Sequence, residues 1–151
     1  MMKEFKKILF PLDLSATSPR LVPYVLTMKE KFDAELHLLF VARDFADLKS
    51  IYVPHPSIHK FEDEVVAGGK KKLEEFREDY FETVKDVTLA VLPGDPSQKI
   101  LEYIRSEGID CVVIGTHGRR GLEKVFFGSV AERVIGRAEV PVLVVNPYHA
   151  A

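Results

Sequence analysis

Asp110-Cys111-Val112-Val113-Ile114-Gly115-Thr116-His117-Gly118-Arg119-Arg120-Gly121-Leu122-Glu123-Lys124-Val125-Phe126-Phe127-Gly128-Ser129-Val130-Ala131-Glu132-Arg133-Val134 reads as a strand, a glycine loop and a helix. The strand is short and continuously apolar. Glycines between a strand and a helix let backbone N–H groups face an anion with no Cβ in the way. The helix that follows adds unpaired N–H groups and a partial positive charge at its start. Arg119, Arg120 and Lys124 stand against Glu123 alone, so the loop is locally basic in a chain of net charge −2. Such a loop suits phosphates. A flexible, charged surface loop would read the same way. Ser129-x-x-Glu132 also fits a capping box, which stabilises a helix with no ligand at all.

Working outward, the same alternation recurs. Ile8 to Leu12 reads as a buried strand. Ser18-Pro19 offers an N-cap and a proline at the first helical position. Leu21, Val22, Val25, Leu26 and Met28 then form a helical stripe ending near Phe32, with Pro23 awkwardly early in it. Glu35 to Val41 is a strand too apolar for a one-sided sheet. Residues 43–57 hold Pro54 and Pro56 and read as a surface loop. A long helix follows to about Phe81, with a stripe of Ile58, Phe61, Val65, Leu73, Phe76 and Tyr80. Gly68-Gly69 interrupts it, either for close packing or as a weak point.

Val84 to Leu92 alternates, with Val87, Leu89 and Val91 on one face. Asp95-Pro96-Ser97-Gln98 is a helix start with a cap, a first-turn proline and a box-closing Gln. That helix runs to about Glu107, and Gly108 ends it. A helix over 129–138 and a last strand, Val142–Val145, complete the chain. Strands alternating with helices imply a parallel sheet covered on both faces, with right-handed crossovers. Ligands in such sheets sit at the carboxyl ends of strands. The two loops that qualify follow the first strand, at Pro11-Leu12-Asp13, and the fourth, at Gly115.

Composition narrows the function classes. The chain has 151 residues, enough for one domain with a sizeable core, and is 46% hydrophobic and 29% charged. Its near-neutral balance gives no general attraction to nucleic acid or to a membrane surface. The single cysteine, Cys111, lies in an apolar strand and reads as a buried, inert thiol. The opening Met-Met-Lys-Glu-Phe-Lys-Lys lacks a signal peptide's apolar run, and no window of about 18 apolar residues occurs. The expectation is a cytoplasmic protein. The histidines His37, His55, His59, His117 and His149 make no persuasive zinc spacing. Asp13 ends a buried strand at the ligand edge, where a carboxylate can accept from ribose hydroxyls or simply form a turn.

The spacing Gly115-x2-Gly118-x9-Gly128-Ser129 is neither a P-loop nor the dinucleotide-binding pattern. Together with Ile8-Leu9-Phe10-Pro11-Leu12-Asp13-Leu14-Ser15, Leu38-Leu39-Phe40-Val41 and Val140-Pro141-Val142-Leu143-Val144-Val145, it resembles the universal stress protein family in its ATP-binding branch. The resemblance spans the whole chain. It implies an α/β, Rossmann-like three-layer sandwich: a five-stranded parallel sheet of order 3-2-1-4-5 with two helices on each face. It implies that Pro11, Leu12, Asp13 and Val41 hold the adenosine. Gly115, Thr116, His117, Gly118, Arg119, Gly128, Ser129 and Val130 would wrap the ribose and phosphates. Leu14 departs from the family, standing where a small residue or glycine is common. The implied cofactor is ATP, with AMP or ADP as alternatives, and Mg2+ or Mn2+ accompanying the phosphates. The implied partner is a second copy, joined through Val142 to Val145, besides an unidentified regulatory protein.

The reading favoured by this resemblance is a regulatory sensor or switch in stress tolerance, because no evident general base accompanies the loop. A slow ATP hydrolase or phosphotransferase is the alternative, with His117 or Asp13 as its base. A dimeric interaction module without nucleotide is a third.

Overall fold

The computed structural model describes residues 1–43, 56–116 and 128–148, with backbone alone at 56–59. Five strands form one parallel sheet: β1 (Lys7–Pro11), β2 (Glu35–Ala42), β3 (Val87–Pro93), β4 (Cys111–Gly115) and β5 (Val142–Val145). Their order is β3-β2-β1-β4-β5. The first strand is therefore central, with β2 on one side and β4 on the other.

Alternation along the strands sends neighbouring side chains to opposite faces. Ile8 and Phe10 of β1, Leu36 and Leu38 of β2, and Cys111 and Val113 of β4 face one layer. That layer is α1 (Val22–Phe32) and α2 (Pro56–Phe81), which contribute Val22, Val25, Leu73 and Phe76. Leu9, Leu39, Val112 and Ile114 face the other way, onto α3 (Pro96–Ser106) and α4 (Ser129–Arg137). Each fully buried Leu or Ile contributes roughly 1.5–3 kcal/mol over exposure. Double coverage is why β1, β2 and β4 carry almost no polar residue.

Beyond Lys7 and Glu35, which open their strands, the exception is His37 on β2, which is buried. Its Nδ1 lies 2.7 Å from the Tyr103 hydroxyl of α3. Its Nε2 lies 2.8 Å from Glu35 Oε1 but makes no hydrogen bond among the described residues. Cys111 is buried as its strand implied, and burial pushes its thiol pKa up.

Several boundaries differ from the sequence expectation, each for a physical reason. The first helix is split. Ser18–Leu21 is a 3-10 turn, and the α-helix begins at Val22. Pro23 has no N–H, so it sits in the first turn, where none is needed. Strand β3 begins at Val87 rather than Val84. Val84 instead closes a turn on the Phe81 carbonyl, and Asp86 has a φ of 56°. The capping box expected at Ser129 does not form. Gly128 is the N-cap and makes no side-chain bond. The Asp95 cap does form, accepting from the Gln98 N–H at 3.0 Å. Gln98 does not close the box; its side chain donates to Glu102 at 3.0 Å.

The expected 43–57 loop falls mostly outside the described residues, and α2 already begins at Pro56. His55 and His149 also lie outside them.

Candidate functional site

The order of strands reverses at β1, because β2 and β4 leave it in opposite directions. Crossovers that diverge in this way open a crevice at the carboxyl edge between them. A cavity of about 330 Å³ lies there. Its walls are the ends of β1, β2 and β4, the first turns of α3 and α4, and the 3-10 turn.

From β1 come Pro11, Leu12 and Asp13. Asp13 folds the chain back on itself: its Oδ1 accepts from the Ser15 N–H at 2.9 Å and from the Ser18 hydroxyl at 3.1 Å. It is thus a turn-former as well as a wall residue. Leu14 follows it with a φ of 58°. That is left-handed backbone, which glycine adopts freely and a branched side chain does not. The departure noted at Leu14 is therefore physical, and its side chain packs against the core.

From β2 comes Val41. The Leu12 N–H donates to the Leu39 carbonyl at 3.0 Å, beyond the end of β1. Backbone groups alternate along a strand, so Val41 turns its N–H and C=O to the same side as Leu39. They project past the end of β1, toward the crevice that Val41 lines.

From β4 come Gly115 and Thr116. The Thr116 N–H donates to the Val145 carbonyl at 3.0 Å, which ties the crevice to the last strand. Gly128, Val130 and Ala131 bring in the start of α4. The first bond within that helix is Glu132 N–H to Gly128 C=O at 2.9 Å. The N–H groups of Ser129, Val130 and Ala131 therefore precede the ladder, as at any helix start. Ser129 stands in this first turn without being a wall residue. His117, Gly118 and Arg119 lie outside the described residues.

Sequence reasoning missed other walls. Arg43, Thr17, Ser18, Leu21, Pro96 and Pro147 also border the crevice. Arg43 is exposed, and its charge helps hold the Asp95 carboxyl below the ordinary value. The larger causes there are the Gln98 N–H and the Ser97 hydroxyl, opposed by desolvation, with Arg133 ahead of Arg43. Among the described residues, no group of three or more His, Cys, Asp or Glu side chains is placed to hold a metal. No described helix is long and apolar enough to cross a membrane.

Residues 4–146 match the model of the universal stress protein family. The chain belongs to that family. Universal stress protein MJ0577 of Methanocaldococcus jannaschii is 33% identical over 157 residues, covering 94% of this chain and 95% of the relative. The solved structure of MJ0577 superposes with a TM-score of 0.80 at 28% identity, over 95% of this chain and 97% of that one. Two more distant universal stress proteins share the fold alone. One, in complex with cAMP, has a TM-score of 0.60 at 18% identity and covers 96% of this chain and 99% of that one. The other, from Archaeoglobus fulgidus in complex with dAMP, has a TM-score of 0.59 at 14% identity and covers 95% and 100%.

Proposed function

We propose that this universal stress protein binds ATP in the crevice and acts as a regulatory sensor or switch rather than as a dedicated enzyme. The observation that carries the reading is the pair of backbone groups at Val41. An adenine edge presents an amine that donates and a ring nitrogen that accepts. Those match one C=O and one N–H side by side, whereas guanine presents the reverse at the same positions. The cavity volume of about 330 Å³ lies at the lower end of ligand pockets and suits one base and ribose. Asp13 offers carboxylate lone pairs at the strand end, where ribose hydroxyls would donate. Glycine at 115 and 128 and the first turn of α4 favour the phosphates beyond. The basic residues Arg119, Arg120 and Lys124 add charge of the right sign. Divalent metal would arrive with the phosphates. That universal stress proteins are held in complex with cAMP and dAMP agrees with an adenine site in this fold.

Turnover is slow or absent in this reading. The Asp13 carboxylate, the acid on the crevice wall among the described residues, already accepts two hydrogen bonds and is a weak base for activating water. The protein is also a homodimer through β5 in the cytoplasm, where its output passes to a protein partner in stress tolerance.

The test is the content of the purified protein. Acid extraction and chromatography should recover an adenine nucleotide, or millimolar Mg-ATP should raise the melting temperature of nucleotide-free protein. At ligand 100 times its Kd the gain is about 2.7 kcal/mol. No extracted nucleotide together with an unmoved melting curve would overturn the proposal.

A further inference from the structure

The turn after β5 has no place in the scheme above, yet Pro147 is buried and forms part of the crevice wall. It is fastened from three directions. The Thr116 N–H holds the Val145 carbonyl just before it. Asn146 Oδ1 accepts the Tyr148 N–H at 3.0 Å and closes the turn on itself. From the turn before α1, Arg20 donates Nη1–H to the Pro147 carbonyl at 3.1 Å. The same guanidinium stands 5.9 Å from the centroid of the Tyr148 ring. A flat cation can hydrogen-bond at its edge and lie against an aromatic face at once, which lysine does less well.

Arg20 belongs to the 3-10 turn Ser18–Leu21. The other end of that turn is Ser18, which donates to Asp13. One short turn therefore grips the Asp13 side of the crevice and the Pro147 side together. We propose that Arg20 is a positioning residue for the ligand: its clasp on Pro147 and Tyr148 holds the wall beside Thr116 in place, and ligand binding and the clasp strengthen each other. This rests on the nucleotide reading and deepens it. Coupling of this kind is reciprocal, so a ligand that packs against Pro147 must also tighten the turn after β5.

The test compares the wild-type chain with Arg20→Ala and Arg20→Lys by calorimetric titration with Mg-ATP, with folding checked by circular dichroism. Arg20→Ala should weaken ATP by about 5- to 10-fold, the low end of ordinary coupling, and Arg20→Lys should recover part of that loss. A purely structural Arg20 would lower the melting temperature and leave the affinity of the folded fraction unchanged. The chain has no tryptophan, so Tyr148→Trp gives a single fluorophore on the clasp should Arg20→Ala fail to fold. Its emission should shift on saturation with ATP. Wild-type binding that Arg20→Ala leaves unchanged, or a Tyr148→Trp emission indifferent to saturating ATP, would overturn the clasp alone. A wild-type chain that binds no adenine nucleotide would overturn the nucleotide reading and the clasp's role in it together.

Discussion

Leu21 leans over Gly115 so closely that a Cβ on the glycine would stand 3.0 Å from its Cδ2 and 3.3 Å from its Cδ1. Leu21 is buried, with little room to retreat. Both residues line the crevice. Gly115→Ala should therefore destabilise the fold by about 1–2 kcal/mol through overpacking. It should also weaken ATP, because the displaced Leu21 moves into the cavity. Urea unfolding and a nucleotide titration read the two effects separately. Unchanged values in both would mean that Leu21 rotates away freely.

Asp13→Ala removes the acceptor of the Ser15 N–H and of the Ser18 hydroxyl. Each lost bond costs on the order of 1 kcal/mol. The nucleoside contact should be lost with them, so the ATP Kd should rise about 10-fold or more. Inorganic phosphate, held at the other end, should change much less. Equal losses for both ligands would remove Asp13 from the nucleoside side.

The neighbouring glycines of α2 should respond in opposite senses. A Cβ at Gly69 would stand 2.8 Å from Phe40 Cε1, so close packing against β2 explains this glycine. Gly68 has nothing within 4 Å of its Cβ position. Gly68→Ala should stabilise the protein by up to about 1 kcal/mol through helix propensity. Gly69→Ala should destabilise it by about 1–3 kcal/mol, since the ring must move. Thermal melts of the two single variants decide this, and matching shifts would refute the packing account of Gly69.

The layered sheet was legible because β1, β2 and β4 are apolar on both faces, a pattern that only double coverage explains. Asp13 and Gly115 were legible as crevice residues because they follow or end such strands, Gly128 because a glycine stands where the loop meets a helix, and Val41 only through the family resemblance. Arg43, Thr17, Ser18, Leu21 and Pro147 were not. Thr17, Ser18, Leu21 and Pro147 reach the crevice only when a turn folds back over the strand ends, and Arg43 follows β2 directly but carries no spacing that marks it as a wall residue. The same limit applies to the caps. Ser129-x-x-Glu132 and Asp95-x-x-Gln98 look alike on paper. Gly128, not Ser129, is the cap of α4, while Asp95 caps α3 itself.

Tyr103 supplies an alkaline signature. Burial, then the negative charges of Glu107 and Glu35, push its phenol from 10.0 up to about 12. The folded state therefore holds this proton more tightly than the unfolded chain. Its contribution to stability is full below about pH 10 and is lost as pH rises toward about 12. Tyr103→Phe leaves the His37 Nδ1 without its hydroxyl partner and should lower stability at neutral pH. It should also flatten the decline across that alkaline window. Urea midpoints measured at several alkaline pH values test this, and parallel declines for the two proteins would exclude Tyr103 as the titrating group.

The free edge of β5 is the basis for proposing a dimer. β5 pairs with β4 alone, and no described strand lies beyond it. The carbonyls of Pro141 and Val145 accept from Val112 and Thr116, so alternate residues face β4. Val142 and Val144 must then turn their N–H groups outward. Leu143, on this edge strand, leaves 37% of its surface exposed and adds uncovered apolar area there. A two-fold copy can meet such an edge antiparallel and satisfy both rows of backbone groups. Val144→Pro deletes one outward donor and leaves the β4 ladder intact, since proline is tolerated where its nitrogen faces away from the sheet. It should weaken the dimer with little loss of monomer stability. Leu143→Pro, whose nitrogen faces β4, should instead destabilise the monomer itself, since it removes a ladder hydrogen bond within the sheet. Sedimentation should find the native chain dimeric at micromolar concentration and the Val144→Pro variant shifted toward monomer. A native monomer would remove the assembly, and a folded Val144→Pro variant that stays fully dimeric would move the interface off β5.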